Sequence, residues 1–264
     1  MPPVPPPPET PDEPALPPGL AEALRRQGRV AEALQQALAL LWAGDGALWS
    51  IVGLSLQVSL SAVLCAALLG LPLGAAIAVG RFPGRTALIV LLNALMGLPP
   101  VVAGLLVYLL LSRAGPLGAL GILFTPSAMV LAQTLLIIPI IAALSRQLIE
   151  DAWGEYREQL QSLNASRLRC ALTLIRDGRF SLITVVLAGF GRAAAEVGAV
   201  MVVGGNIDGF TRVMTTAIAL ETSKGDLALA LALGWVLLAV VLLLHSAMAG
   251  LRRGSGHSTS LGLA

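Results

Sequence analysis

The chain has 264 residues, of which 56% are hydrophobic and only 12% charged, with a formal net charge of +2. Soluble domains carry roughly 25% charged residues, so this composition excludes an ordinary water-soluble core and places the chain in lipid. The two cysteines, Cys65 in an apolar run and Cys170 in a charged segment, exclude disulfide stapling, and His245 and His257 are too few for a histidine metal site or a catalytic triad.

The first eighteen positions hold ten prolines. Residues 1–19 therefore read as a polyproline-like disordered tail. No basic region precedes an apolar core there, so the tail is not a signal peptide. Residues 20–47 comprise an amphipathic helix and a linker. Leu20, Leu24, Val30, Leu34, Ala37, Leu38 and Leu41 recur at helical spacing, and Arg25, Arg26, Arg29 and Glu32 share the other face. The expected placement of 20–42 is on the membrane rather than across it.

Residues 48–250 form the transmembrane domain. Five apolar runs lie within it, at about 48–79, 87–111, 124–145, 181–204 and 227–250. Each reaches the roughly 20 residues that a span requires. Within the first, Gly70 and Gly74 fit small-residue helix packing. The second contains Pro99 and Pro100, which remove two helix hydrogen bonds and predict a break near mid-membrane. Such a break is tolerated at that depth only against protein or a cavity. Residues 251–264 read as a short cytoplasmic tail.

Between the third and fourth runs lies a charged island, Glu150 to Arg179, within a loop of 146–180. Glu155, Arg157 and Glu158 alternate with Tyr156, Leu160 and Leu163, which predicts a short amphipathic helix. A turn is expected at Leu163-Asn164-Ala165-Ser166, then a second helical run from Arg167 to Ile175. A helix–turn–helix on the surface of a membrane protein is a place for a partner to push.

Basic residues give the orientation. Arg81, Arg85, the island's Arg146, Arg157, Arg167, Arg169, Arg176 and Arg179, and the terminal Arg252 and Arg253 fall on one side, against Arg113, Arg212 and Lys224 on the other. The island and the C-terminus are thus expected in the cytoplasm and the N-terminus outside. If residues 20–42 span, the N-terminus moves inside and the rest stands.

Charges within membrane spans are costly and are functional candidates. Arg192 and Glu196 are four apart in the fourth run, a spacing that lets them pair on one helix face. They read either as a pathway-lining pair or as a structural pair. The same stretch matches Gly-x-Gly-x-x-Ala, but inside an apolar helix rather than after a strand, so dinucleotide binding is rejected. Beyond a turn cluster at Gly204–Gly209, a Thr-rich segment reads as a re-entrant or interfacial helix with the apolar stripe Val213, Ala217 and Leu220. There Thr211, Thr215 and Thr216 offer hydroxyls to a polar solute. Gln57, Asn93, Gln133 and Thr134 receive no specific role. No catalytic residue, metal, cofactor or nucleic-acid partner is expected. No phosphate-binding Gly-x-x-x-x-Gly-Lys-Ser/Thr loop is present, so ATP-driven transport needs an ATPase on another chain.

The island is similar to the coupling loop of ABC importer permeases, whose motif runs Glu-Ala-Ala, three residues, then Gly. The aligned positions are Glu158, Gln159, Leu160 and Asn164. Asn replaces the turn Gly, and the motif's downstream Pro is absent near Asp177. Met96–Gly118, Phe124–Leu144 and Gly189–Gly234 resemble permease subunits of tungstate-type ABC importers, which are close to the molybdate and sulfate permeases. The resemblance covers about residues 31–250.

It implies an all-α ABC importer permease fold, with about five transmembrane helices, an amphipathic N-terminal helix and a cytoplasmic coupling helix. It also implies a homodimer in lipid in the bacterial inner membrane, cytoplasmic ATPase subunits and an extracytoplasmic oxyanion-binding protein. ATPase coupling would fall to Glu155, Glu158, Gln159, Leu160, Asn164, Ala165, Ser166 and Arg169. Translocation would fall to Arg192, Glu196, Thr215 and Thr216, with the helix break at Pro99 and Pro100. A gradient-driven transporter and a non-transporting scaffold are the competing classes. Few acidic residues lie within spans to carry ions, and a broken helix with an internal ion pair is unlike a passive anchor.

Overall fold

A computed structural model describes residues 18–257. Most of the proline-rich tail, and the end of the C-terminal tail, lie outside the described residues. Every regular element among the described residues is helical. The N-terminal helix α1 (Pro18–Ala43) begins two residues before the expected boundary. It packs its small residues Ala33 and Ala37 inward.

Helix α2 (Gly46–Val79) is the first span. Asp45 caps it, its Oδ1 accepting from the Leu48 amide at 2.8 Å, which satisfies one of the donors a helix start leaves free. The second span is broken as expected. α3 (Arg85–Met96) and α4 (Pro100–Leu111) meet at 102°. Pro99 stands as the cap and Pro100 as the first helical residue, where its missing N–H costs nothing.

Helix α5 (Pro126–Ser162) corrects the sequence reading. The island's first helix is not a separate piece but the end of one 37-residue helix that includes the third span. Hydropathy drops after Leu144, but no proline follows and the helix runs on through Gly154 to its cap at Leu163. Leu163 also departs from the expected stripe. It is 76% exposed, while Tyr156 and Leu160 pack against a buried cluster of Ile149, Cys170 and Leu174. Helix α6 (Arg167–Asp177) follows the turn, then α7 (Arg179–Ala194) and the short α8 (Gly198–Gly204). The fourth span is thus also broken, bent by 60°. Helix α9 (Met214–Lys224) is the Thr-rich segment. Helix α10 (Leu227–His257) carries the fifth span and runs on through Arg252 and Arg253, beyond the boundary expected at 250.

α2, α5 and α10 are long and apolar enough to cross a membrane, and the two bent pairs bring the total to five. α5 is central, packed along α2 and flanked by α3, α4, α7 and α8. At Gly70 and Gly74 the contact is backbone-close: a Cβ added at Gly74 would lie 2.6 Å from the Ala142 carbonyl oxygen of α5. Leu60, Leu64 and Leu68 of α2 and Val101, Leu105 and Leu109 of α4 stand exposed. Apolar faces of this extent belong against lipid or another protein chain.

A braced helix break and an exposed turn

α7 and α8 part at Ala195-Glu196-Val197 without a proline. A break inside an apolar bundle frees carbonyls and amides that lipid cannot satisfy. Neighbouring side chains take up three of them. Gln133 of α5 donates its Nε2 to the Ala193 carbonyl at 3.1 Å. Thr215 of α9 donates its hydroxyl to the Glu196 carbonyl at 2.7 Å. The Glu196 Oε1 accepts from the Ala199 amide at the start of α8, at 3.1 Å.

Arg192 and Glu196 do pair, at 2.7 Å through the second carboxylate oxygen. They do not share one helix face, however. Arg192 sits in the last turn of α7, where a cation suits the helix dipole, and Glu196 lies in the break. One carboxylate therefore spans both sides of the bend. Its side chain is 3% exposed, against 38% for Arg192, whose guanidinium reaches the bundle surface.

Ser55, Ser59, Gln133, Glu196 and Thr215 line a narrow cleft beside the break. Gln133 was passed over in the sequence because a lone amide in a span carries no pattern. Its Oε1 is buried and lacks a partner. Thr216, by contrast, is fully buried and spends its hydroxyl on its own helix, accepting from the Val213 amide at 3.1 Å. Thr211 is equally enclosed, donating to the Gly204 carbonyl at 2.6 Å.

At the other end of α5 the turn is well defined. Asn164 has φ +51, in the left-handed region. Its amide donates to Gln161 O at 3.0 Å, and the Ala165 amide reaches back to Leu160 O at 3.2 Å. These two bonds form a Schellman ending with Asn in the place usually held by Gly. Ser166 then caps α6, its hydroxyl accepting from the Arg169 amide. Glu155, Glu158, Gln159, Asn164, Ser166 and Arg169 are exposed, and Leu160 and Ala165 are half-buried beneath them. Leu163, Leu168 and Leu172 are exposed beside them. Tyr156 keeps a neutral phenol: the Glu155 carboxylate beside it, then burial and Asp177, push its pKa above the usual value.

A "Probable anion ABC transporter permease protein" of Haloferax volcanii is 41% identical over 198 residues, covering 73% of this chain and 85% of that one. The chain is a member of the ABC transporter permease family. The tungstate uptake system permease protein TupB of Peptoclostridium acidaminophilum is 40% identical over 211 residues, covering 80% of this permease and 92% of TupB. The molybdenum transport system permease protein ModB of Escherichia coli is 30% identical over 188 residues, covering 67% of this permease and 82% of ModB. No family model matches the permease. It is a transport permease subunit and a multi-pass membrane protein. The braced break and the Asn164 turn lie toward opposite ends of its longest helix.

Proposed function

We propose that this permease imports a tetrahedral oxyanion, tungstate ahead of molybdate and sulfate, as a homodimer in the bacterial inner membrane. The likeness to TupB over 80% of the chain supports the substrate class. Two ATPase subunits act from the cytoplasm and a binding protein delivers the anion from outside. The N-terminus lies outside and the C-terminus in the cytoplasm, a placement that the excess of arginines in the loops assigned to the cytoplasm supports.

The observation that carries the mechanism is the continuity of α5. Its exposed end and the turn at Asn164 seat in a cleft of the ATPase, with Leu163 and Leu168 buried by that contact. Closure of the ATPase pair moves this end as a rigid body. Gln133, on the same helix, holds the carbonyl of Ala193 at the break in the fourth span. Displacing α5 therefore displaces the bend that carries Arg192. A dianion crossing a low-dielectric region needs neutralisation or retained water. Arg192 supplies one positive charge per subunit, and Glu196 tempers it so that the anion passes rather than lodges. Thr215 spends its one hydroxyl proton on the Glu196 carbonyl and so serves the path by holding the bend in place.

The test is reconstitution of the permease with its ATPase in liposomes, supplied with tungstate-loaded binding protein. ATP hydrolysis is expected to rise on addition of the loaded protein and to lose that stimulation when Glu158 and Asn164 are replaced. Arg192→Gln is expected to slow import. Unchanged import in Arg192→Gln would remove the charge from the pathway, and failure of any ATPase to bind would end the importer reading.

A further inference from the structure

Away from the break, toward the cytoplasmic end of the bundle, three charges join helices that the coupling scheme leaves unconnected. Arg85 is the first residue of α3. A cation there opposes the helix dipole, so its placement requires another partner. Its Nε donates to the Ile77 carbonyl near the end of α2 at 2.8 Å. Its terminal nitrogen donates to Glu150 Oε1 on α5 at 2.7 Å. The other oxygen of Glu150 takes Arg146, one turn earlier on α5. The Arg146 Nε is buried and lacks a hydrogen-bond partner. From α6, Arg167 reaches the Arg81 carbonyl in the loop between α2 and α3 at 3.4 Å. Ile77, Leu92, Ala142 and Ala143 form a small apolar core joining the same three helices.

The far side of this bracket leads to the break. α3 continues through the 102° bend into α4. α4 lies backbone-close on α8: a Cβ added at Gly104 would sit 2.7 Å from the Ala199 Cα. Ala199 is the residue whose amide Glu196 caps. A second line of contacts thus runs from the coupling end of α5 to the far half of the broken span, beside the direct one through Gln133.

We propose that Arg85 and Glu150 are positioning residues for transport, holding α3 to the coupling end of α5 so that the broken second span, whose α4 lies on α8, moves with the broken fourth span. This rests on the coupling role given to α5 above. Without the bracket, α5 still receives the ATPase stroke and carries α7 and α8, which pack on it directly, but α3 and α4 lag. ATP is then hydrolysed without delivery of the anion.

The experiment compares wild type, Arg85→Gln, Glu150→Gln and the exchange R85E/E150R in the reconstituted complex. It reads copurified ATPase, hydrolysis rate and import rate. The exchange keeps two arginines around one carboxylate. Each single variant is expected to keep its ATPase and to hydrolyse about fivefold more ATP per anion imported, the scale of one coupled contact pair. The exchange is expected to bring that ratio back toward wild type. An unchanged ratio in the single variants overturns the proposal. So does a parallel fall in both rates or in assembly that the exchange does not reverse, since that marks a purely structural bracket. Absence of import by wild type is a different result, and it overturns the transport reading itself.

Discussion

Removing the better-solvated member of the Arg192–Glu196 pair is expected to cost more than removing the buried one. In Glu196→Gln the amide oxygen still accepts from Ala199, and Arg192, already 38% exposed, turns toward more polar surroundings. The loss is one charge-assisted hydrogen bond, about 1.5 kcal/mol. Arg192→Gln instead strands a carboxylate that is 3% exposed, with the Ala199 amide as its remaining side-chain partner. Leaving such a charge unpaired costs about 3 kcal/mol. The double variant removes the stranded charge and is expected to return to about the level of Glu196→Gln. Thermal unfolding of the purified permease in detergent gives the order. The midpoint should be lowest for Arg192→Gln, and higher for both Glu196→Gln and the double variant. If Arg192→Gln is no less stable than Glu196→Gln, or the double variant falls at the sum of the singles, the carboxylate is not a buried brace and the account of the bend fails.

Asn164→Gly is expected to preserve stimulation of the ATPase, because Gly adopts the left-handed backbone freely, whereas Asn164→Val should lose it, since a β-branched residue resists φ +51. Equal stimulation in both, measured in liposomes, would show that the turn's shape is not what the ATPase reads. Gly104→Ala should destabilise the permease by about 2 kcal/mol through overpacking of α4 against Ala199. An unchanged unfolding midpoint would mean that α4 and α8 separate at no cost.

The break at Pro99 was legible because proline removes a donor locally, whatever surrounds it. The break at Glu196 was not. No residue there forbids a helix, and the bend survives because Gln133 and Thr215, sixty-odd residues before and nearly twenty after, take up its carbonyls. Tertiary partners of that kind leave no periodic trace. The spacing of Arg192 and Glu196 predicted that they meet, but a helix face and a bend bring the two charges equally close. The Asn164 turn could be read because Asn tolerates a left-handed backbone. The continuity of α5 could not, because the switch from apolar to polar residues marks where the membrane stops, not where a helix does. The family likeness was carried by Met96–Gly118, Phe124–Leu144 and Gly189–Gly234, the first and last of which hold the two breaks.

α5 has one further consequence. At 1.5 Å per residue its 37 residues reach about 55 Å, well beyond a hydrocarbon core of about 30 Å. The apolar part and the exposed end proposed to meet the ATPase therefore share one angular phase. Inserting a single residue between Ser145 and Leu163 would leave the composition almost unchanged, yet it would swing the Asn164 turn by about 100° around the axis. The permease can drift in sequence along this stretch more freely than it can drift in length. Insertions there should be tolerated only near whole numbers of turns, as gear teeth are replaced one for one.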